Sequence, residues 1–176
     1  YNNLKYTKIK LMAVSTEVSC DCKDWSNYPK INGSMLTKTV DLVLSRFKNI
    51  YSIEKLDISI LLTDDERMKN LNLEFRGKNK ATDVLSFPDI ELNWQELANY
   101  KPTSDHLYLG DIAFGYQTVA KQSIEMSSDF EDYFKHLLIH AVLHLLGYDH
   151  VDDDDAEAME AMEREALLEL GIKMSY

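Results

Sequence analysis

His140-Ala141-Val142-Leu143-His144-Leu145-Leu146-Gly147-Tyr148-Asp149-His150 is the stretch on which the reading of this chain turns. Upstream of it and within it, Phe134, Leu137, Leu138, Ala141 and Leu145 recur at helical spacing, and Ser128 with Glu131 has the form of a capping box. A helix is therefore expected from about Asp129 to Leu146. His140 and His144 stand four apart on it, so both imidazoles lie on one face, one turn apart, where they can reach a single ion. Gly147 can end the helix in the left-handed conformation, and Tyr148-Asp149 lets the chain turn so that His150 supplies a third vertex. Three protein ligands leave a fourth position open, as a catalytic zinc site does and a structural one does not. The expectation is a metal-dependent hydrolase holding one zinc ion, although three imidazoles also suit other divalent transition metals. Three histidines without an ion would leave unexplained why a helix-breaking glycine stands where the ligand geometry needs it.

The same spacing occurs in zinc peptidases with His-Glu-x-x-His-x-x-Gly-x-x-His, where the glutamate is the general base. Here that position is Ala141. A missing general base costs a factor of roughly 100 to 10,000 in rate, so the metal site is kept while peptide hydrolysis is disfavoured.

Outward from this segment the pattern is mixed. Leu36, Val40, Val43, Leu44 and Phe47 give helical spacing between Met35 and Phe47, and Leu56 to Leu62 reads as a half-buried strand. Thr63 followed by Asp64, Asp65 and Glu66 starts a helix through Met68, Leu71, Leu73 and Phe75. Thr82 to Phe87 is a strand stopped by Pro88, Leu107 to Phe114 a further strand, and Gln117 to Met126 a helix. Asp152 to Asp155 start a last helix carrying Met159, Met162, Leu167 and Leu170, with its acids at the positive end of the dipole. The segments 24–33 and 93–105 read as loops. The fold class expected is α+β in a single domain over residues 1–176, with strands early and helices late.

No run approaches the roughly 18 apolar residues that span a bilayer, and residues 1–10 lack the apolar block of a secretory signal, so a soluble chain of the cytoplasm with no membrane association is expected. Cys20 and Cys22 are expected to be free thiols. The net charge of -11 argues against a nucleic-acid ligand only at first sight. Residues 149–176 hold ten acids against Arg164 and Lys173, a net of -8, which leaves -3 for the rest of the chain.

The histidine segment resembles the YbeY family of bacterial and organellar endoribonucleases, whose signature is His-Gly-x-Leu-His-Leu-x-Gly-Tyr-Asp-His; Ala141 replaces the usual Gly. Leu71-Asn72-Leu73-Glu74-Phe75-Arg76-Gly77-Lys78, then Thr82-Asp83-Val84-Leu85-Ser86-Phe87-Pro88, and Leu109-Gly110-Asp111-Ile112 match further family blocks, so the resemblance covers roughly 56–170. Residues 1–12 and the loop 93–105 fall outside it and are read as an extension and a variable loop. The resemblance implies a zincin-like fold, a small mixed sheet packed with helices. It also implies single-strand-specific cleavage of precursor ribosomal RNA, notably at the 3′ end of the small-subunit RNA, with a role in ribosome quality control. The implied partners are the small ribosomal subunit and a ribosome-assembly GTPase.

Within that expectation His140, His144 and His150 hold the metal, and His140 and His144 with Arg76 carry catalysis. Arg76 matches the family's functional arginine; its planar fork suits a phosphate, the alternative being a surface arginine at a helix end. Lys78 and Lys80 share its loop and either track RNA or are simply solvated. Asp149 either orients a ligand histidine or caps the turn. His136 matches a family histidine; a fourth protein ligand would close the site, so it is expected to support a ligand or touch substrate rather than coordinate. A protein of ribosome assembly that binds RNA without cutting it, and a hydrolase of another substrate, are the competing readings.

Overall fold

The computed structural model is described over residues 12–173, so residues 1–11 of the expected extension lie outside the described residues. Its strands are β1 (Ala13–Cys20), β2 (Lys55–Thr63), β3 (Val84–Pro88) and β4 (His106–Gly115). Its helices are α1 (Gly33–Leu44), α2 (Asp65–Arg76), α3 (Tyr116–Glu125), α4 (Phe130–Leu145) and α5 (Asp153–Glu169). The strands form one mixed sheet in the order β1-β2-β4-β3. β1, β2 and β4 run parallel, and β3 closes one edge antiparallel to β4.

β2 decides where the core sits. Its alternation buries Leu56, Ile58, Ile60 and Leu62 on one face, where they join Leu36, Val40 and Leu44 of α1 and Phe134, Leu138 and Val142 of α4 in one apolar cluster. The opposite face is covered mainly by α2, whose Met68 packs with Leu85 and Ala113. Beside β2, β4 carries a bulge at Leu109, and Gly110 there has φ +141° with the space for a Cβ taken by the Phe87 carbonyl.

α4 is buried almost all round, with ten buried residues between Phe130 and Leu145. The positions left partly open on it include Asp132, His136, His140 and His144 at intervals of four, so the histidines line the one stripe that the core does not cover.

Several local expectations are corrected. α4 is capped by Asp129, whose carboxylate accepts from the Glu131 and Asp132 backbone amides, and not by a Ser128–Glu131 box. α1 ends at Leu44, and Phe47 instead packs edge-on against Tyr148. Both expected loops contain short 3-10 turns, at Lys23–Asn27 and Trp94–Asn99. Each is anchored by an aromatic: Trp25 is buried and donates from Nε1 to the Thr63 carbonyl, and Trp94 stacks on Tyr148. Cys20 ends β1 exposed, Cys22 lies buried beyond it, and both are free thiols. No helix among the described residues is long and apolar enough to cross a membrane.

Candidate metal centre

His140 and His144 project from the last turns of α4, and the Nε2 atoms of the two rings lie 3.0 Å apart. The chain then reverses at Gly147, where φ is +85°, and His150 comes back beside them. One ring nitrogen from each of the three histidines lies within 4.8 Å of the other two.

The far nitrogens of the two helical rings are tied down. His140 Nδ1 donates to Glu163 Oε1 at 2.6 Å, and His144 Nδ1 donates to the Tyr148 carbonyl at 2.9 Å. With both Nδ1 atoms protonated, the facing Nε2 atoms are two bare lone pairs, which repel at 3.0 Å unless a cation lies between them. The donor set therefore fits a divalent transition metal, with the third imidazole of His150 completing the protein's share. Burial, reinforced by the neighbouring His140, brings the His144 pKa down to about 4, so that ring is neutral and ligand-ready at pH 7.

The same histidines form one wall of an open cleft of about 420 Å³, and the end of α2, the loop after it and β3 form the other. Arg76, Lys78 and Lys80 stand on that second wall. The Arg76 guanidinium donates from Nη2 to the Ser86 carbonyl at 3.3 Å, which turns it along β3. Buried Asn72 shapes the basic loop: its side chain donates to the Lys80 carbonyl and its own carbonyl accepts from the Lys78 amide. Asp83 is the one carboxylate among the described residues lining the cleft, and its Oδ1 accepts from Thr82 Oγ1 and the Val84 amide.

The structure brings Arg76, Lys78, Lys80, His136, His140, His144 and His150 to this one cleft. His136 places Nε2 on Glu163 Oε2 at 3.1 Å and buries Nδ1, and it is not part of the group of three converging imidazoles. Asp149 accepts from the His150 backbone amide at 2.8 Å, capping the turn rather than holding an imidazole. Sequence reasoning missed Glu163. Its signal was legible: it stands four residues after Met159 and four before Leu167, an acid inside an otherwise buried apolar stripe. Burial opposes its charge, but donors from His136 and His140 outweigh that and hold its pKa down at about 2.

A family model described as Endoribonuclease YbeY matches residues 21–171. The chain is 34% identical over 169 residues to the Endoribonuclease YbeY of Agrobacterium fabrum (strain C58), covering 94% of this chain and 96% of that one. The fold is similar to the solution structure of TM1509 from Thermotoga maritima, with a TM-score of 0.52 at 22% identity, covering 88% of this chain and 91% of that one. A match over most of the chain, joined to a relative similar along nearly its whole length, shows that this chain belongs to the endoribonuclease YbeY family.

Proposed function

We propose that the protein is a metal-dependent endoribonuclease of the cytoplasm that cuts single-stranded ribosomal RNA precursors, near the 3′ end of the small-subunit RNA, and acts in ribosome quality control. The observation that carries this reading is the pairing of two chemistries across one cleft. Imidazole nitrogens converge on one wall, and the fork of Arg76 with the ammonium groups of Lys78 and Lys80 lies on the other. A phosphodiester needs both: positive charge to hold its oxygens, and a centre that stabilises the charge developing on them.

Zinc is the proposed ion: His140, His144 and His150 would hold it, and when bound it would supply Lewis acidity for phosphodiester cleavage. Arg76 contributes a bidentate donor for two phosphate oxygens and strengthens as negative charge grows in the transition state. Lys78 and Lys80 track the flanking backbone, and the openness of the cleft suits an unpaired strand. A peptidase reading is weakened because Ala141 is fully buried where the general base would stand. The proposed partners are the small ribosomal subunit and a ribosome-assembly GTPase.

The test is cleavage of a single-stranded ribosomal RNA fragment by purified protein, by His144→Ala and by chelator-treated protein, with metal content measured on all three. Loss of metal and of cleavage together, restored by adding zinc to the treated wild type, is the expected result. Undiminished cutting by metal-free protein would remove the histidines from the reaction. Bound metal without RNA turnover would favour an assembly factor that binds and does not cut.

A further inference from the structure

Glu163 stands apart from the nine other acids of residues 149–176. It is 4% exposed, packed in α5 among Met159, Ala166 and Leu167, and both of its carboxylate oxygens end on histidines of α4. A charge at that depth is costly unless both oxygens are partnered, and an apolar residue of similar volume would hold α5 on α4 without that cost. The arrangement therefore serves something other than packing.

We propose that Glu163 is the positioning residue of the metal centre, fixing His140 as a ligand with one oxygen and holding His136 out of coordination with the other. This rests on the three-histidine metal reading above. The 2.6 Å contact to His140 Nδ1 sets the tautomer that leaves Nε2 bare, and a carboxylate behind an imidazole raises its basicity toward a metal. His144 is backed differently, by the neutral Tyr148 carbonyl, so the electron push from a full negative charge enters through His140 alone among the two helical ligands. His136 lies one turn before His140 on the same open stripe, stands outside the group of three converging imidazoles, and has its Nε2 taken up by Glu163 Oε2. The site thus depends on a residue of the next helix, 13 positions beyond the last ligand, His150.

The experiment uses the full chain as wild type, Glu163→Gln, Glu163→Asp and His144→Ala. It reads zinc affinity by competition with a chromophoric chelator, the visible spectrum of the cobalt-loaded protein, and the melting of each metal-free protein. Glu163→Gln keeps the size and one acceptor oxygen but not the charge. It is expected to melt close to wild type, to bind zinc about 10- to 100-fold more weakly, and to shift the cobalt bands. Glu163→Asp restores the charge with a shorter reach, and its affinity should fall between the two; it replaces the amide variant if that one does not fold. Wild-type zinc affinity with an unchanged cobalt spectrum, in whichever of the two variants folds, would overturn the assignment. His144→Ala separates the layers: tight zinc binding there defeats the three-histidine reading itself, whereas loss there beside full binding in Glu163→Gln defeats only the role of Glu163.

Discussion

His144 and Glu163 make the metal-free protein acid-sensitive for related reasons. Burial and then His140 lower the His144 pKa from 6.5 to about 4, so the folded ring resists protonation. In Glu163, donation from His136 and His140 overcomes burial and lowers the pKa from 4.5 to about 2. Both groups have folded values below their unfolded ones, so the unfolded chain takes up protons first as pH falls. Stability present above the unfolded value is then lost on the way down. For His144 the window runs from about pH 6.5 to 4, and for Glu163 from about 4.5 to 2. The metal-free protein is expected to lose on the order of 2 kcal/mol between about pH 7.5 and pH 5, from His144, read as a falling urea midpoint. A flat profile over that range would contradict a neutral, half-buried His144. In the metal-loaded protein the decline should follow release of the ion, since protons and metal compete for the same imidazoles.

The turn that carries His150 is held at the level of elements rather than of single ligands. Gly147 has φ +85°, and a Cβ there would lie 2.0 Å from the Leu92 carbonyl oxygen, so both the backbone conformation and the space demand glycine. The segment after β3 clamps the same turn: Trp94 stacks on Tyr148 with ring centroids 5.1 Å apart, and its Nε1 donates to Asp155 at the start of α5. Gly147→Ala is therefore expected to cost roughly 2 kcal/mol or more. It should also weaken zinc binding by moving His150, measured by urea unfolding beside chelator competition. A variant with both quantities intact would show that the turn can be built another way. α4 and its glycine stop were legible in the sequence because periodicity and the αL preference are local physics. The cap was not, because Ser128 and Asp129 are both good capping residues and only the path of the chain chooses between them. The segment 93–105 read as a loop for a similar reason: nothing in its composition says that Trp94 and Leu97 find the core.

Over the whole molecule the charge is unevenly placed. The chain carries -11 in total, yet the cleft wall opposite the histidines presents Arg76, Lys78 and Lys80. Affinity for a phosphate backbone depends on local cations and the counterions they displace, not on net charge. The double variant Lys78→Glu/Lys80→Glu should bind single-stranded RNA more weakly, with the slope of log affinity against log salt shallower by about 1 to 2 and with zinc content unchanged. An unaltered slope would assign both lysines to solvent. Arg76, tied to the Ser86 carbonyl, belongs to the same wall, and in the function proposed above it would orient one phosphate rather than follow the strand.

By itself the sequence determined the elements and the candidate ligand set: the 3.6-residue spacing of α4, the alternation of β2, His140 and His144 four apart, and a glycine placed to return His150. These follow from the geometry of a few neighbouring residues. What surrounds the site was decided only when distant segments met. That Arg76 lies across a cleft from His140, that Asn72 shapes the basic loop, and that Glu163 reaches back from α5 to hold two histidines of α4 all depend on which faces the sheet and core bring together. Among the ten acids in the last 28 residues, the spacing from Met159 and Leu167 marks Glu163 as inward-facing, but local sequence does not say which groups it meets there. Burial against α4 is what makes Glu163 different, because a charge removed from water must find its partners in the protein.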